Sequence, residues 1–152
     1  MKVVAFFLGI LLYSVSAPAQ TTNPNYNAEL AKKLGADAYG MKSYVFVLLK
    51  TGTNTSTDEA ARNKAFAGHM QNMKRMQDAG QLVVAGPMGT NDKEYRGIFI
   101  LNVATVEEAK ELLQTDPAIA ANYLKAEVLE WYGSAALPKY LEAHDKIWTN
   151  GL

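Results

Sequence analysis

The chain has 152 residues, of which 49% are hydrophobic and 20% are charged, and this composition fits one folded domain better than a disordered segment. Fifteen Lys and Arg balance fifteen Asp and Glu, so the sequence lacks the basic excess with which domains usually bind nucleic acid. There is no cysteine, which excludes disulfides and Cys-based metal sites, and the two histidines are too few for a His-rich site, so no metal or other cofactor is expected.

The first residues have the three-part pattern of a secretory signal peptide. Lys2 precedes an uncharged, largely apolar run over 3–15, and Ala17 and Ala19 place small residues at the positions that a signal peptidase inspects. We therefore predict a signal peptide over 1–19 and a periplasmic or secreted chain. The run is shorter than the roughly 20 residues of a membrane span, so no stable membrane anchor is expected after cleavage. An uncleaved anchor or a buried N-terminal helix is the alternative.

Hydrophobic periodicity and turn residues predict alternating strands and helices in the rest of the chain. A leader over 20–40, with a possible short helix ending at Gly35, comes first. The elements then predicted are a strand over 42–50, a helix over 58–79, strands over 81–88 and 96–104, a helix over 105–114, a short helix from Asp116-Pro117, a strand over 126–132 and a helix over 138–148. Ser56 with Glu59, and Thr105 with Glu108, fit capping boxes that open the two longer helices.

The order strand, helix, strand, strand, helix, strand predicts an α+β fold of the ferredoxin-like type. In this βαββαβ arrangement an antiparallel four-stranded sheet carries both helices on one face. We assign this domain to residues 41–134 and a C-terminal helical tail to residues 135–152.

The first predicted strand is apolar on both sides. Residues 45, 47 and 49 point to one face of the sheet and residues 44, 46 and 48 to the other, so one layer of helices cannot bury both. A second subunit packed sheet to sheet would cover the remaining face, and we expect a homodimer. The C-terminal helix folding back over this face is the alternative.

His69 is the polar residue that breaks the apolar stripe of the first long helix. At helical spacing it shares a face with Phe66, Met70 and Met73, where a histidine is half buried and sensitive to its surroundings. Arg62 lies two turns earlier on this stripe, so the pair could bind an acidic or enolic small molecule. The alternative is a core histidine bonded to a backbone carbonyl, with Arg62 on the surface.

Asp116 and His144 each have two interpretations. Asp116 is suited to cap the helix that begins at Pro117, and a carboxylate placed near His69 would also orient the imidazole. His144 and Asp145 are adjacent on a helix and point in different directions, so they do not form a dyad by spacing, and we expect His144 at the surface.

Taken together, these residues resemble the YCII-related (YciI-like) family over about residues 44–132. The segments that carry the resemblance are Tyr44–Val47, Arg62 with His69, Gly80–Pro87, Gly97, Glu108-Ala109 and Thr115-Asp116-Pro117. Members of that family are similar in fold to dimeric α+β barrels built from ferredoxin-like subunits. A His and an Asp are assigned to the active site there, and some members are lyase-like or dehydrohalogenase-like enzymes.

The resemblance implies that His69 and Asp116 form the active site. We expect Arg62 to hold an anionic group of the substrate, and Tyr44 and Gly86 to contact the substrate. Ala118 stands where the family often has an aromatic residue after the Asp-Pro pair, and the tail over 133–152 is an addition to the family pattern. Three functions follow as hypotheses. The chain is an exported enzyme that performs lyase- or isomerase-like acid–base chemistry on a small organic substrate, a ligand-binding dimer without chemistry, or a structural dimer in which His69 is only packed.

Overall fold

The computed structural model describes residues 23–149, so the predicted signal peptide lies outside the described residues. The elements in chain order are α1 (Ala28–Leu34), β1 (Met41–Thr51), α2 (Glu59–Asp78), β2 (Leu82–Pro87), β3 (Tyr95–Leu101), α3 (Val106–Gln114), α4 (Pro117–Ala120), β4 (Leu124–Ser134), a 3₁₀ turn (Leu137–Tyr140) and α5 (Leu141–His144). Between residues 23 and 149, no helix is long and apolar enough to cross a membrane.

The four strands form one antiparallel sheet in the order β2-β3-β1-β4. β2 and β3 pair as an antiparallel hairpin, and β1 lies in the centre between β3 and β4. Helices α2 and α3 supply buried residues to the same core as the sheet. The ferredoxin-like α+β fold predicted from the sequence is therefore confirmed.

The core lies on the helical side of the sheet. On this side Val47 of β1 pairs with Phe99 of β3, and Val45 pairs with Leu101. All four side chains are at most 2% exposed, and they pack against Met76 of α2. Burial of side chains of this size contributes roughly 1.5–3 kcal/mol each, so this layer fixes α2 over the sheet.

The other side of the sheet is apolar and open in the single chain. Phe46 and Leu48 of β1 pair with Ile100 and Ile98, and all four are only half buried. Leu129 of β4, opposite Phe46, is 49% exposed. The C-terminal segment lies on the helical side instead, where Tyr140 and Trp148 line a cavity together with His69 of α2. The alternative in which the tail covers the open face is therefore wrong for the part of the tail that the structure describes, up to residue 149.

The structure departs from the predicted capping box at Ser56 and follows the one at Thr105 in part. The helix α2 is capped by Asp58, whose carboxylate accepts a hydrogen bond from the Ala61 N–H. Ser56 instead accepts from the N–H of Asp58 in the preceding turn, so the capping box predicted at Ser56 is wrong. The capping box at Thr105 is confirmed in its first half, because the Thr105 hydroxyl accepts from the N–H of Glu108. The Glu108 carboxylate accepts from the N–H of Ala104 instead of that of Thr105.

The apolar stripe predicted for α2 lies at the edge of the core, where Phe66 and Met73 pack against it partly buried. The buried residues of α2 are Ala65, His69, Asn72 and Met76. Phe66, Met70 and Met73 lie to one side of this row, and Met70 is 37% exposed. This orientation of α2 buries His69 more deeply than Phe66, Met70 and Met73, and it places these three side chains at the wall of a cavity.

The predicted helix over 138–148 is shorter than expected. Residues 137–140 form the 3₁₀ turn, and α5 ends at His144. Neither piece has a side-chain cap at its start, and so little local structure holds either of them in a longer helix.

Candidate active site

His69 and Asp116 are in direct contact although 47 residues separate them in sequence. His69 lies in the middle of α2, and Asp116 precedes the first turn of α4. The distance from His69 Nδ1 to Asp116 Oδ2 is 2.7 Å, which is that of a short hydrogen bond between a ring N–H and a carboxylate. The side chain of Asp116 is fully buried, and His69 is 8% exposed.

Asp116 serves both as a helix cap and as the partner of the histidine. Its Oδ1 accepts from the backbone N–H groups of Ala118 at 2.9 Å and Ile119 at 3.3 Å, which leaves Oδ2 for His69. Burial raises the pKa of the carboxyl, but the hydrogen bond and positive charge of His69, together with the two backbone N–H groups, outweigh it and hold this pKa below its ordinary value. Asp116 is therefore ionised at neutral pH despite its complete burial.

Asn72, Arg75 and Thr115 form a polar network that contacts Asp116 Oδ2, the oxygen bonded to His69. Asn72, one turn after His69, lies with its amide nitrogen 3.4 Å from Asp116 Oδ2. Its carbonyl oxygen accepts two hydrogen bonds from the Arg75 guanidinium, at 2.7 and 3.2 Å. Arg75 also donates to the Thr115 hydroxyl at 2.9 Å. Because these contacts fix which end of the Asn72 amide faces the carboxylate, Asn72 presents donors to Asp116.

Sequence reasoning missed Asn72 and Arg75. The usable signal is spacing, since residues 65, 69, 72 and 76 follow the steps of four and three that define one helix face. A polar side chain at position 72 of that row indicates a buried hydrogen-bond partner.

A large cavity opens beside His69, between α2 and the hairpin β2–β3. Its volume is about 1060 Å³. Phe66, Met70 and Met73 of α2 form one wall, and Phe99 and Pro87 belong to the opposite wall. A cavity of this size, mostly apolar with a few polar groups, is typical of small-molecule sites.

The second ring nitrogen of His69, Nε2, is the atom of the His69–Asp116 pair that is left to meet a ligand. This nitrogen makes no hydrogen bond within residues 23–149, yet it is not among the buried polar atoms that lack a partner, so it retains access to solvent. The ring is stacked on Phe99 with 5.9 Å between centroids and meets Phe66 edge-on at 6.2 Å. The ring is therefore held from three sides while Nε2 stays accessible.

Of the three residues expected to contact a substrate, Gly86 lines the cavity, whereas Arg62 and Tyr44 do not. Arg62 is exposed at the start of α2. Tyr44 is buried on the opposite face of the sheet, where its ring contacts Trp131 at a tilt of 41° and its hydroxyl donates to the carbonyl of Ser134 at 2.9 Å. Strand alternation explains this, because residues 44 and 45 point to opposite faces.

Arg96 occupies the position in the cavity that had been expected for Arg62. It lines the cavity from β3, and its guanidinium makes no ion pair within the part of the chain that the structure describes. Lys74, another cation of the lining, is neutralised by Asp78 at 2.9 Å. Arg96 is therefore the cationic side chain best placed to meet an anionic ligand.

His144 is not the surface residue predicted from its sequence. It is half buried, lines the cavity and meets the Tyr140 ring edge-on, with centroids 6.0 Å apart. Across residues 23–149, no group of three or more His, Asp or Glu side chains is arranged to hold a metal ion.

Comparisons with known proteins place the chain in a family. No curated protein matches it significantly. One similar solved structure is the 5-chloro-2-hydroxyhydroquinone dehydrochlorinase of Burkholderia phenoliruptrix in complex with 2,5-dihydroxybenzoquinone, at 21% identity and a TM-score of 0.42, over 57% of this chain and 92% of that one. The family profile of the YCII-related domain matches residues 44–132, which is more than half of the chain. The chain therefore belongs to the YCII-related domain family, as its sequence motifs had indicated.

Proposed function

We propose that this protein is an enzyme that performs acid–base chemistry of the lyase or isomerase type on a small organic substrate, with His69 as the base and acid. The observation that carries the proposal is the 2.7 Å contact between His69 Nδ1 and the buried Asp116 carboxylate, made by a ring whose other nitrogen is free beside a cavity of about 1060 Å³. A histidine packed for stability alone does not need an ionised partner and an accessible second nitrogen.

Asp116 determines which nitrogen of His69 carries the proton in the neutral ring. A carboxylate accepts hydrogen bonds only, so Nδ1 keeps its hydrogen and donates it. The lone pair of the neutral ring is then on Nε2, the atom that has access to solvent. When Nε2 takes up a proton, the adjacent negative charge of Asp116 stabilises the imidazolium that forms.

The proposed reaction begins when Nε2 removes a proton from a carbon or oxygen acid of the substrate. The electron pair of the broken bond to hydrogen moves into the conjugated system of the substrate. In an isomerisation, Nε2 returns the same proton to a different atom. In an elimination, the electron pair expels a leaving group as an anion, and the imidazolium releases its proton to that group or to water. Arg96 would hold a negatively charged group of the substrate during either sequence.

The test is a turnover screen with wild-type protein and His69→Gln, which keeps a polar side chain of similar length. Enolisable carboxylic acids, hydroxyquinones and halogenated phenols form the panel, with mass spectrometry of the products as the readout. We expect at least one compound to be converted by the wild type and its conversion to fall at least 100-fold in His69→Gln. Equal conversion by both proteins would contradict the proposal, as would binding of the panel without any product.

A ligand-binding homodimer without turnover is the second candidate function, and the open sheet face favours the dimer in either case. Phe46, Leu48, Ile98 and Ile100 form an apolar patch with Leu129 on this face. We propose that a second copy of the chain covers this patch. The same cavity would then bind a ligand in each subunit, and saturable binding with no product distinguishes this function from catalysis.

We also propose that the chain is exported. The support is the sequence pattern of residues 1–19, with small residues at positions 17 and 19. Expression of the full chain in a bacterium, followed by fractionation and N-terminal sequencing, is expected to give a periplasmic protein that begins at Gln20. A cytoplasmic protein with an intact N-terminus would contradict this.

A further inference from the structure

The cavity beside His69 has a third wall that comes from outside the family domain. The family domain ends at residue 132. Residues that follow it nevertheless line the cavity, namely Tyr140, Leu141, His144, Asp145 and Trp148. The C-terminal segment 137–148 therefore faces the same space as His69 and Phe99.

One specific hydrogen bond fastens this segment to the sheet at the cavity. The hydroxyl of Tyr140 donates to the backbone carbonyl of Val83 in β2. Burial raises the pKa of the Tyr140 hydroxyl, so the group keeps its proton and remains a donor well above neutral pH. The ring of Tyr140 also contacts the His144 ring, so the fastened turn and α5 form one unit.

The surfaces on the two sides of this space are aromatic and apolar. Phe66 and Phe99 lie around His69, and Trp148 of the segment lines the cavity while remaining 51% exposed. Half of a large indole thus lacks a partner within residues 23–149. Arg96 also lines the cavity and makes no ion pair with any other residue of 23–149. Aromatic walls with such a cation among them suit a flat conjugated ring that carries a negative charge.

We propose that the segment 137–148 is part of the ligand site, so that a planar aromatic acid bound beside His69 contacts Trp148 and is enclosed by the fastened segment. This inference rests on the proposed function in taking the cavity as the ligand site. It adds a class of ligand and a wall that lies outside the family domain.

The two tryptophans allow a direct test, because they lie on opposite sides of the sheet. Trp131 contacts Tyr44 on the open face and does not line the cavity, whereas Trp148 does. The probe is 4-nitrobenzoate, a planar aromatic carboxylate whose nitro group quenches indole fluorescence at contact. Trp131→Phe retains Trp148 alone as the reporter, and Trp148→Phe retains Trp131 alone. Equilibrium dialysis measures binding of the probe independently.

We expect saturable quenching in Trp131→Phe and no saturable quenching in Trp148→Phe. We further expect Tyr140→Phe, which removes the bond to Val83, to weaken binding about 5-fold. Tyr132→Phe is the matched control, because it removes a tyrosine hydroxyl that bonds Asp37 away from the cavity, and it should bind the probe as the wild type does.

Three results would overturn the proposal. They are absence of binding by dialysis, binding that quenches both tryptophans or neither, and equal affinities of Tyr140→Phe and the wild type. Failure of the catalytic proposal is a separate outcome, since a protein that converts no substrate can still show quenching at Trp148 alone. Conversely, conversion of substrate by His69 without any quenching at Trp148 would retain the catalytic proposal and remove the segment from the site.

Discussion

Gly68 of α2 and Pro117 of α4 touch where the two helices cross, directly beside the His69–Asp116 pair. A Cβ placed on Gly68 would lie 2.6 Å from Cγ of Pro117, which is closer than atoms of this kind approach. Each residue is the sequence neighbour of one member of the pair. The absence of a side chain at position 68 therefore permits the approach of the helices that brings Asp116 within 2.7 Å of His69.

We predict that Gly68→Ala separates the pair more than it destabilises the fold. Alanine favours a helix interior over glycine by about 1 kcal/mol, which offsets part of a clash cost of about 1–3 kcal/mol. Displacement of Pro117 also displaces the adjacent Asp116. We therefore expect the conversion of substrate to fall at least 10-fold while the melting temperature changes by only a few degrees. Gly89→Ala, which meets nothing within 4 Å, is the control and should change neither property.

Most of the sequence predictions that were correct concern interactions between residues that are close in sequence, whereas the placement of Arg62 depends on residues far apart in sequence. The strands and helices of the domain and the cap at Asp116 depend on neighbours in sequence, and these were predicted. His69 and Asp116 were named as a pair because a family resemblance supplied the long-range relation. Arg62 was expected in the site because it shares the stripe of His69, but it lies two turns earlier and is exposed at the start of α2, whereas Arg96 lines the cavity from β3. The pairing of β3 with β1 and β2 brings Arg96 to the cavity, and the periodicity of α2 does not contain this long-range pairing.

Asp116→Asn is predicted to change the position of the proton on His69. The amide can still accept from Ala118 and Ile119 through its oxygen, so its nitrogen faces His69 Nδ1 as a donor. Nδ1 must then accept, and the hydrogen of the neutral ring moves to Nε2. Because the base is lost from the accessible nitrogen, we expect conversion to fall by about 100-fold or more.

Nitrogen NMR of the imidazoles can measure this change without a substrate, since the chain has two histidines. The wild type should show the Nδ1–H form of His69, and Asp116→Asn the Nε2–H form. Asp58→Asn is the matched control, because Asp58 also caps a helix but contacts no histidine, and it should leave the spectrum of His69 unchanged. An Nε2–H form in the wild type would contradict the mechanism.

Asp116 is also predicted to make the stability of the protein dependent on pH. Its folded pKa lies below the ordinary 3.8, so the unfolded chain binds the proton more readily than the native one. The stabilisation is complete above pH 3.8 and is lost as the pH falls through the folded pKa. We expect Asp116→Asn to lower the free energy of unfolding by about 1–3 kcal/mol at pH 7.

Urea titrations of the wild type and Asp116→Asn at pH 7, 4 and 2.5 provide the measurement. The difference between the two proteins isolates Asp116 from the other carboxylates, and it should shrink toward the lowest pH. A difference that stays constant from pH 7 to 2.5 would mean that the charge of Asp116 does not stabilise the fold.

Arg96 and Arg62 provide a paired test of how an anionic ligand is held. Arg96 lines the cavity, whereas Arg62 is exposed outside it. Loss of a charge-assisted hydrogen bond costs roughly 1.5–3 kcal/mol, so Arg96→Gln should weaken binding of 4-nitrobenzoate about 10- to 100-fold. Arg62→Gln removes the same charge from the chain and should leave the affinity within 2-fold of the wild type. The opposite ranking of the two variants would return the anion site to Arg62.

The open face of the sheet predicts an oligomer that one charge can disrupt. Leu129 is 49% exposed opposite Phe46, so covering it in an interface contributes about half of the roughly 1.5–3 kcal/mol of a fully buried leucine in each subunit. Leu129→Glu would place two carboxylates in a symmetric dimer interface, so sedimentation should show a dimer for the wild type and a monomer for the variant. Leu30→Glu alters a leucine of similar exposure on α1 and should remain dimeric. A monomeric wild type at concentrations of tens of micromolar would contradict the prediction that this face is paired.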